Sequence, residues 1–262
     1  MATPHFLSDQ RVIQIDIDPE ELGRNYENTM GIHGDARSSL EELHKALSAA
    51  VPARPEDKET INRLKELRGE SSIRVEPQDS LIAAIRAAMP DDGILISGMT
   101  QLGYYSRSYF PVYQPQSFLT SSYFGNLGYA YPTALGAKVA QPDKAVVALS
   151  GDGGFLFNSQ ELATAVQHGI NAVVVVFNDN AYGNVLRDQV NRFDGRAIGA
   201  ELHNPDFVKL AEAYGARGVR AHGPDELEAS LKEALGIDAP TLIEVPVGMM
   251  PSPFERGLRN PR

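Results

Sequence analysis

The sequence has 262 residues, 42% of them hydrophobic, which allows one large domain with a real core and a smaller piece besides. A formal net charge of -10 argues against a protein that coats nucleic acid or an anionic membrane, so neither is expected as a partner. The absence of cysteine excludes disulfides, thiolate nucleophiles and cysteine-ligated metal centres. Nothing at the start reads as a signal peptide, and no apolar run approaches the roughly 20 residues of a membrane helix. The reading at this level is a soluble, acidic protein, expected in the cytoplasm.

Along the chain, Arg11 to Asp18 alternates apolar and polar residues as a strand does, until Pro19 breaks it. Asp35 to Ala50 has the spacing of an amphipathic helix, with Leu40, Leu43 and Leu47 on one face. One strand and one helix bury each other poorly, so residues 1–50 read as the remnant of a central α/β domain. Residues 51–78 are rich in Pro, Lys, Glu and Arg and read as a linker holding one exposed helix. From residue 79 the pattern alternates. Helices are expected over Asp79 to Met89, with Asp79 as its cap, and over Pro132 to Ala140, Gln160 to His168, Pro205 to Tyr214 and Pro224 to Leu235. Strands are expected over Gly93 to Ser97, Ala145 to Leu149, Ala172 to Phe177, Arg217 to Arg220 and Thr241 to Val245. Short strands that are apolar on both faces, each near a helix, predict an α/β fold: a doubly wound parallel sheet with helices on both faces over residues 79–262. In such sheets ligands bind beyond the carboxyl ends of the strands.

The strand Ala145 to Leu149 runs into Ser150-Gly151-Asp152-Gly153-Gly154. Glycines let a backbone turn sharply and bring N–H groups close to an anion. A carboxylate among them suits a hard cation such as magnesium or calcium. Asn158 to Glu161 has the spacing of a capping box, and the next strand ends in Asn178-Asp179-Asn180. Asp152 and Asp179 stand 27 positions apart, one strand–helix–strand unit, so both should emerge on the same sheet edge, close enough to share a metal. A metal there, beside a glycine turn, suits a diphosphate.

At these residues the sequence resembles the thiamine-diphosphate enzymes of the acetolactate synthase and benzoylformate decarboxylase type, whose signature is Gly-Asp-Gly followed, after 25 to 30 residues, by paired asparagines. Phe118 to Lys138, Gly151 to His168 and Pro246 to Pro253 extend the likeness, and Val12 to Ala50 is similar to the end of the family's central domain. The resemblance implies thiamine diphosphate and magnesium as cofactors, with Asp152, Asp179 and the carbonyl of Ala181 on the metal. It further implies Gly151, Gly153, Gly154, Asn178 and Gln101, in the loop after Gly93 to Ser97, around the cofactor. Leu127 would be the apolar wedge that bends the cofactor, and the Gly125 carbonyl would face its aminopyrimidine.

Three departures stand out. Asp179 replaces the second signature asparagine and adds a negative charge; sliding the frame by one would make Asn180 the ligand, but Tyr182-Gly183 supports Asp179. Leu102 stands where many relatives have histidine. The activating glutamate of the family lies on a separate N-terminal domain, and no glutamate here has a matching context. The catalytic residue is therefore expected on a domain outside this sequence. The function implied is a decarboxylase or carboligase of 2-oxo acids, acetolactate-synthase-like, working as a homo-oligomer or with a complementing chain that carries the pyrimidine-binding domain. Alternatives are the cofactor-binding subunit of a two-chain 2-oxo acid decarboxylase, or a non-catalytic cofactor-binding fragment. The nucleotide-binding motifs Gly-x-Gly-x-x-Gly and Gly-Lys-Ser/Thr are absent, and the six histidines are scattered.

Overall fold

The computed structural model describes residues 10–26, 29–52, 55–71, 74–121 and 124–252. Ser122, Tyr123 and Pro253, which belong to the family-like stretches, lie outside the described residues, as does His5. The chain divides into two compact units, Met1–Glu70 and Ser71–Arg262.

In the first unit, β1 (Val12–Asp16) pairs in parallel with β2 (Thr29–His33), Val12 opposite Thr29 and Asp16 opposite His33. The strand expected over 11–18 thus acquires a partner that the sequence pattern did not reveal, because Thr29-Met-Gly-Ile-His33 is short and carries a glycine. Helix α1 (Ala36–Ala50) starts at Asp35, whose carboxylate accepts from Ser38 N at 3.0 Å and satisfies one orphan N–H of the first turn. Its apolar stripe is exposed, Leu40 at 54% and Leu47 at 51%, as are Ile13 and Met30. Helix α2 (Lys58–Ser71) occupies the expected linker.

The second unit contains, in order, α3 (Gln78–Ala88), β3 (Ile94–Ser97), α4 (Gln101–Tyr109), β4 (Phe118–Thr120), α5 (Ala130–Ala140), β5 (Val146–Gly151), α6 (Asp152–Leu156), α7 (Glu161–His168), β6 (Val173–Asn178), α8 (Gly183–Arg192), α9 (Phe207–Tyr214), β7 (Arg217–Arg220), α10 (Gly223–Leu235) and β8 (Thr241–Pro246). Among the described residues the strands form one six-stranded sheet in the order β4-β3-β5-β6-β8-β7, every pairing parallel. This is the doubly wound α/β sheet expected. Side-chain alternation along each strand feeds two cores. Leu95, Val147, Leu149, Val173 and Val175 pack with α3, α4 and α10. Ile94, Ile96, Val146, Ala148, Val174 and Val176 pack with α5, α7 and α9 on the other face. Each such fully buried aliphatic side chain contributes about 2 kcal/mol of burial, which is why β6 is a run of four valines rather than an alternating strand.

Several local expectations change. Asp79 does not cap α3; it sits in the first turn and accepts from Tyr105 Oη at 2.8 Å and Arg74 at 2.7 Å. The capping box at Asn158 does not form. Asn158 Nδ2 instead donates to the Gly128 carbonyl at 2.8 Å, tying the Gly-rich loop to α6 and α7, and Gln160 occupies the cap position, its side chain donating to Asn158 Oδ1 rather than capping the helix. Helix α9 is capped as a sequence reader would wish, Asp206 accepting from Lys209 N and Gly215 ending it at φ 85°.

The winding direction reverses at β3. Its connection through α4 leads to β4 on one side, whereas β5 lies on its other side and leads into α6 on the opposite face. Loops that diverge to opposite faces leave a crevice between the carboxyl ends of β3 and β5.

Candidate active site

A cleft of about 250 Å³ opens at that crevice and is lined by Gln101, Leu127, Asp152, Asp179, Tyr182 and Met250, among others. Every residue expected at the site from the sequence lines it except Asn178, which lies just beneath at the end of β6. Gln101 is not in a loop: it opens α4, because Gly98 turns the chain tightly enough for the helix to begin at once.

Asp152 begins α6 and is 1% exposed. One oxygen accepts from Gly153 N at 2.8 Å, the other from Asn204 Nδ2 at 2.6 Å. The Gly153 N–H is therefore engaged by Asp152 in this structure, while the remaining first-turn N–H groups have no partner inside the helix. Asp179 is partly buried; Gln101 Nε2 donates to its Oδ2 at 2.6 Å and Ala181 N to its Oδ1 at 3.3 Å. Burial pushes Asp152 above the ordinary carboxylate range, partly offset by the Gly153 and Asn204 donors. Burial, and then the charge of Asp152, push Asp179 up to about 7. Among the described residues no cationic side chain forms an ion pair with either, although both face one cleft.

Two carboxylates crowded without a cation fit a hard divalent ion. No group of three acidic or histidine side chains that could hold a metal occurs among the described residues, so a further ligand would come from the backbone. Ala181 lines the same cleft. It bridges Glu201 in an antiparallel pair whose two bonds, Tyr182 N to Ala200 O and Leu202 N to Asn180 O, skip residue 181 itself. In that register the carbonyl of Ala181 faces away from Glu201. Asn180 adopts φ 55° to turn the chain between Asp179 and Ala181 and is exposed, so its side chain is placed less well than Asp179. Gly183 leaves room for the contact of Gln101 with Asp179: a Cβ there would force the ends of both side chains to shift.

Sequence reasoning missed Asn204, Arg187 and Glu244. Asn204 Nδ2 reaches Asp152 and, at 2.8 Å, Asn178 Oδ1; Asn178 Nδ2 in turn donates to Glu244 Oε1 at 2.7 Å. Arg187 is 8% exposed and donates to Gln101 Oε1, Met250 O and Asn184 Oδ1. Asn204 carries no local signal, lying in an irregular segment 26 positions after Asn178. Arg187 lies on α8, a helix that the sequence pattern did not lead us to expect. The segment after β8 closes the cleft: Met250 N donates to Gln101 Oε1 at 3.0 Å, and Val247 N to Asn178 O at 2.9 Å. Leu127 and Gly125, which has φ 63°, form the opposite wall, Leu127 partly exposed to the cleft.

A larger, shallower groove of about 830 Å³ lies at the amino ends of the strands, lined by Lys138, Lys144, His168 and Lys232 among others. Lys138 is engaged by the carbonyls of Pro142 and Lys144, and Lys232 by Glu228.

Comparison with known proteins agrees with this geometry. Residues 98–245 match the family of thiamine pyrophosphate enzymes, C-terminal TPP binding domain, and residues 1–43 match the central domain of the same enzymes. The chain belongs to the thiamine pyrophosphate enzyme family. It is 35% identical over 257 residues to a probable acetolactate synthase large subunit of Methanocaldococcus jannaschii, covering 92% of this chain and 43% of that one. It is 36% identical over 240 residues to a probable 2-ketoarginine decarboxylase of Pseudomonas aeruginosa, 89% of this chain and 42% of that one. To the acetolactate synthase isozyme 3 large subunit of Escherichia coli it is 32% identical over 234 residues, 86% and 41%. The chain thus spans less than half the length of these curated relatives. Among the described residues no helix is long and apolar enough to cross a membrane.

Proposed function

We propose that the cleft holds magnesium and the diphosphate of thiamine diphosphate, and that the chain is the cofactor-binding part of an acetolactate-synthase-like decarboxylase or carboligase of 2-oxo acids. The observation that carries this reading is the pair Asp152 and Asp179, facing one cleft at the switch point of the sheet and forming no ion pair with a cationic side chain among the described residues. Asp152, Asp179 and the Ala181 carbonyl would hold the ion. The first turn of α6, through Gly153 and Gly154, with Gly151 and Gln101 beside it, would face the diphosphate, and Asn178 would hold Asp152 through Asn204. Leu127 and the Gly125 carbonyl would shape the space for the cofactor's two rings. When bound, the thiazolium supplies the nucleophilic carbon and the electron sink for decarboxylation. What this chain contributes is position: a charge-matched floor, an apolar wall, and a cover in the Val247 to Met250 segment that excludes water.

The group that activates the pyrimidine is proposed to come from a pyrimidine-binding domain supplied beside these residues, within a homo-oligomer or by a complementing chain. The exposed Val185 of α8, which lines the cleft, and the exposed Val190, Phe193 and Ile198, on the same helix and just after it, support an oligomer, since exposed apolar residues suit a covering partner.

Calorimetric titration with thiamine diphosphate, with and without magnesium, tests the site. Magnesium-dependent binding that is lost in Asp152→Ala is expected; binding indifferent to both would overturn the reading. A second reading is favoured by the 2-ketoarginine decarboxylase relative, which is as similar as the acetolactate synthases. Carbon dioxide release from pyruvate with a two-carbon unit joined to a second pyruvate supports the carboligase. Release from a guanidino-substituted 2-oxo acid with an aldehyde as product supports the alternative.

A further inference from the structure

Arg187 is a guanidinium buried to 8% exposure that forms no ion pair among the described residues. Burying a charge without its opposite is costly, and a long side chain on α8 could reach solvent instead. Its three acceptors are neutral: Gln101 Oε1 at 3.0 Å, Met250 O at 2.9 Å and Asn184 Oδ1 at 2.6 Å. Asp179 has the complementary problem, a carboxylate beside Asp152 with no cation.

Gln101 connects the two. Its Oε1 accepts from Arg187 and from Met250 N, so the amide can lie only one way round, with Nε2 toward Asp179 Oδ2 at 2.6 Å. A guanidinium donating to one end of an amide polarises it and strengthens the N–H at the other end. Gly183 leaves the space in which the two groups meet, since a Cβ there would strike both.

We propose that Arg187 is the counter-charge of Asp179, transmitted by Gln101, and that this relay lets the cleft keep two carboxylates and still accept an anionic diphosphate. Gln101 is then a positioning residue for Asp179 in addition to lining the cleft. The Arg187–Gln101–Asp179 chain also ties the cover segment, through Met250, to the ion-binding carboxylate. The charge pair stands on the geometry alone; its effect on diphosphate rests on the cofactor reading proposed above.

The test is a double-mutant cycle on the full chain in metal-free buffer: parent, Arg187→Met, Asp179→Asn and the double variant, each unfolded in urea. Arg187→Met should lower the folding equilibrium constant in the parent by about tenfold more than in the Asp179→Asn background. Equal losses in both backgrounds would overturn the proposal and leave Arg187 a strut for Met250. If Arg187→Met folds in neither background, Arg187→Gln, which keeps a donor but no charge, is put through the same cycle with the same two outcomes. In a second arm, thiamine diphosphate affinity at saturating magnesium should fall about tenfold in Arg187→Met, and unchanged affinity would overturn the relay's effect on diphosphate. Absence of thiamine diphosphate binding by the parent would count against the cofactor reading, and the urea cycle would still decide the charge pair.

Discussion

Asn178 Nδ2 donates to Glu244 Oε1 at 2.7 Å, and this one bond decides which way round the Asn178 amide lies. Its oxygen is thereby turned to accept from Asn204 Nδ2 at 2.8 Å and from Asn180 N at 3.2 Å. Glu244, on β8, also accepts from Arg220 Nε at 2.9 Å, and Arg220 reaches Asp206, the cap of α9. A path of hydrogen bonds therefore runs from the surface of the sheet edge to Asp152.

Replacing Glu244 by leucine removes the anchor of that path and leaves Asn178 Nδ2 without its acceptor, while Arg220 keeps Asp206. The loss should be about 2 kcal/mol, as for a buried donor left unsatisfied, whereas Glu244→Gln, which keeps an acceptor, should cost about 1 kcal/mol. Urea denaturation measures both. Similar losses in the two variants would mean that the position matters only for volume.

The position of Asp179 predicts a pH dependence of the metal-free chain. Its folded value of about 7 lies above the ordinary carboxylate value of 3.8, so the folded state binds the proton more tightly than the unfolded one. That contribution to stability is fully present below about pH 4 and is lost as the pH rises toward and through 7. Asp152 is shifted in the same direction, and the cap carboxylates Asp35, Asp57 and Asp206 in the opposite one. The informative quantity is therefore the difference between the parent and Asp179→Asn. Melting temperatures from pH 4.5 to 8 should show the parent losing ground to the variant as pH rises. Saturating magnesium should abolish or reverse that trend, and parallel curves without metal would contradict it.

Gly183→Ala places a methyl group against Asp179 and Gln101. Overpacking of this kind costs about 1–3 kcal/mol, but the larger effect should fall on the site. Circular dichroism should show the fold retained, while magnesium-dependent thiamine diphosphate affinity drops by tenfold or more. Undiminished affinity would show that Asp179 can move without consequence.

Leu127 predicts the converse pattern. It is only partly buried and lines the cleft, so Leu127→Ala should lower stability by about 1 kcal/mol or less. If it shapes the space for the bent cofactor, affinity for thiamine diphosphate falls at least tenfold with the melting temperature nearly unchanged. A drop in stability with affinity intact would make it an ordinary core residue.

The local signals in this sequence determined a good deal by themselves. Runs such as Val173 to Phe177, apolar at every position, can be satisfied only between two layers, so a parallel sheet with helices on both faces was legible without coordinates. Gly151 to Gly154 and Asn178 to Ala181 were legible as a site because each directly follows a strand, and one strand–helix–strand unit returns the chain to the same edge. The tertiary structure decided what no period encodes. It chose the order of the strands, and so set the crevice between β3 and β5. It sent Asn158 to Gly128 rather than to a helix cap, because a loop packed overhead offered a better acceptor. Gln101 met Asp179, Arg187 met Gln101 and Glu244 met Asn178 across 78, 86 and 66 positions of sequence. Polar partners so far apart leave no mark on local pattern, since each side chain takes whichever neighbour the folded sheet brings within about 3 Å, and only the finished packing names it.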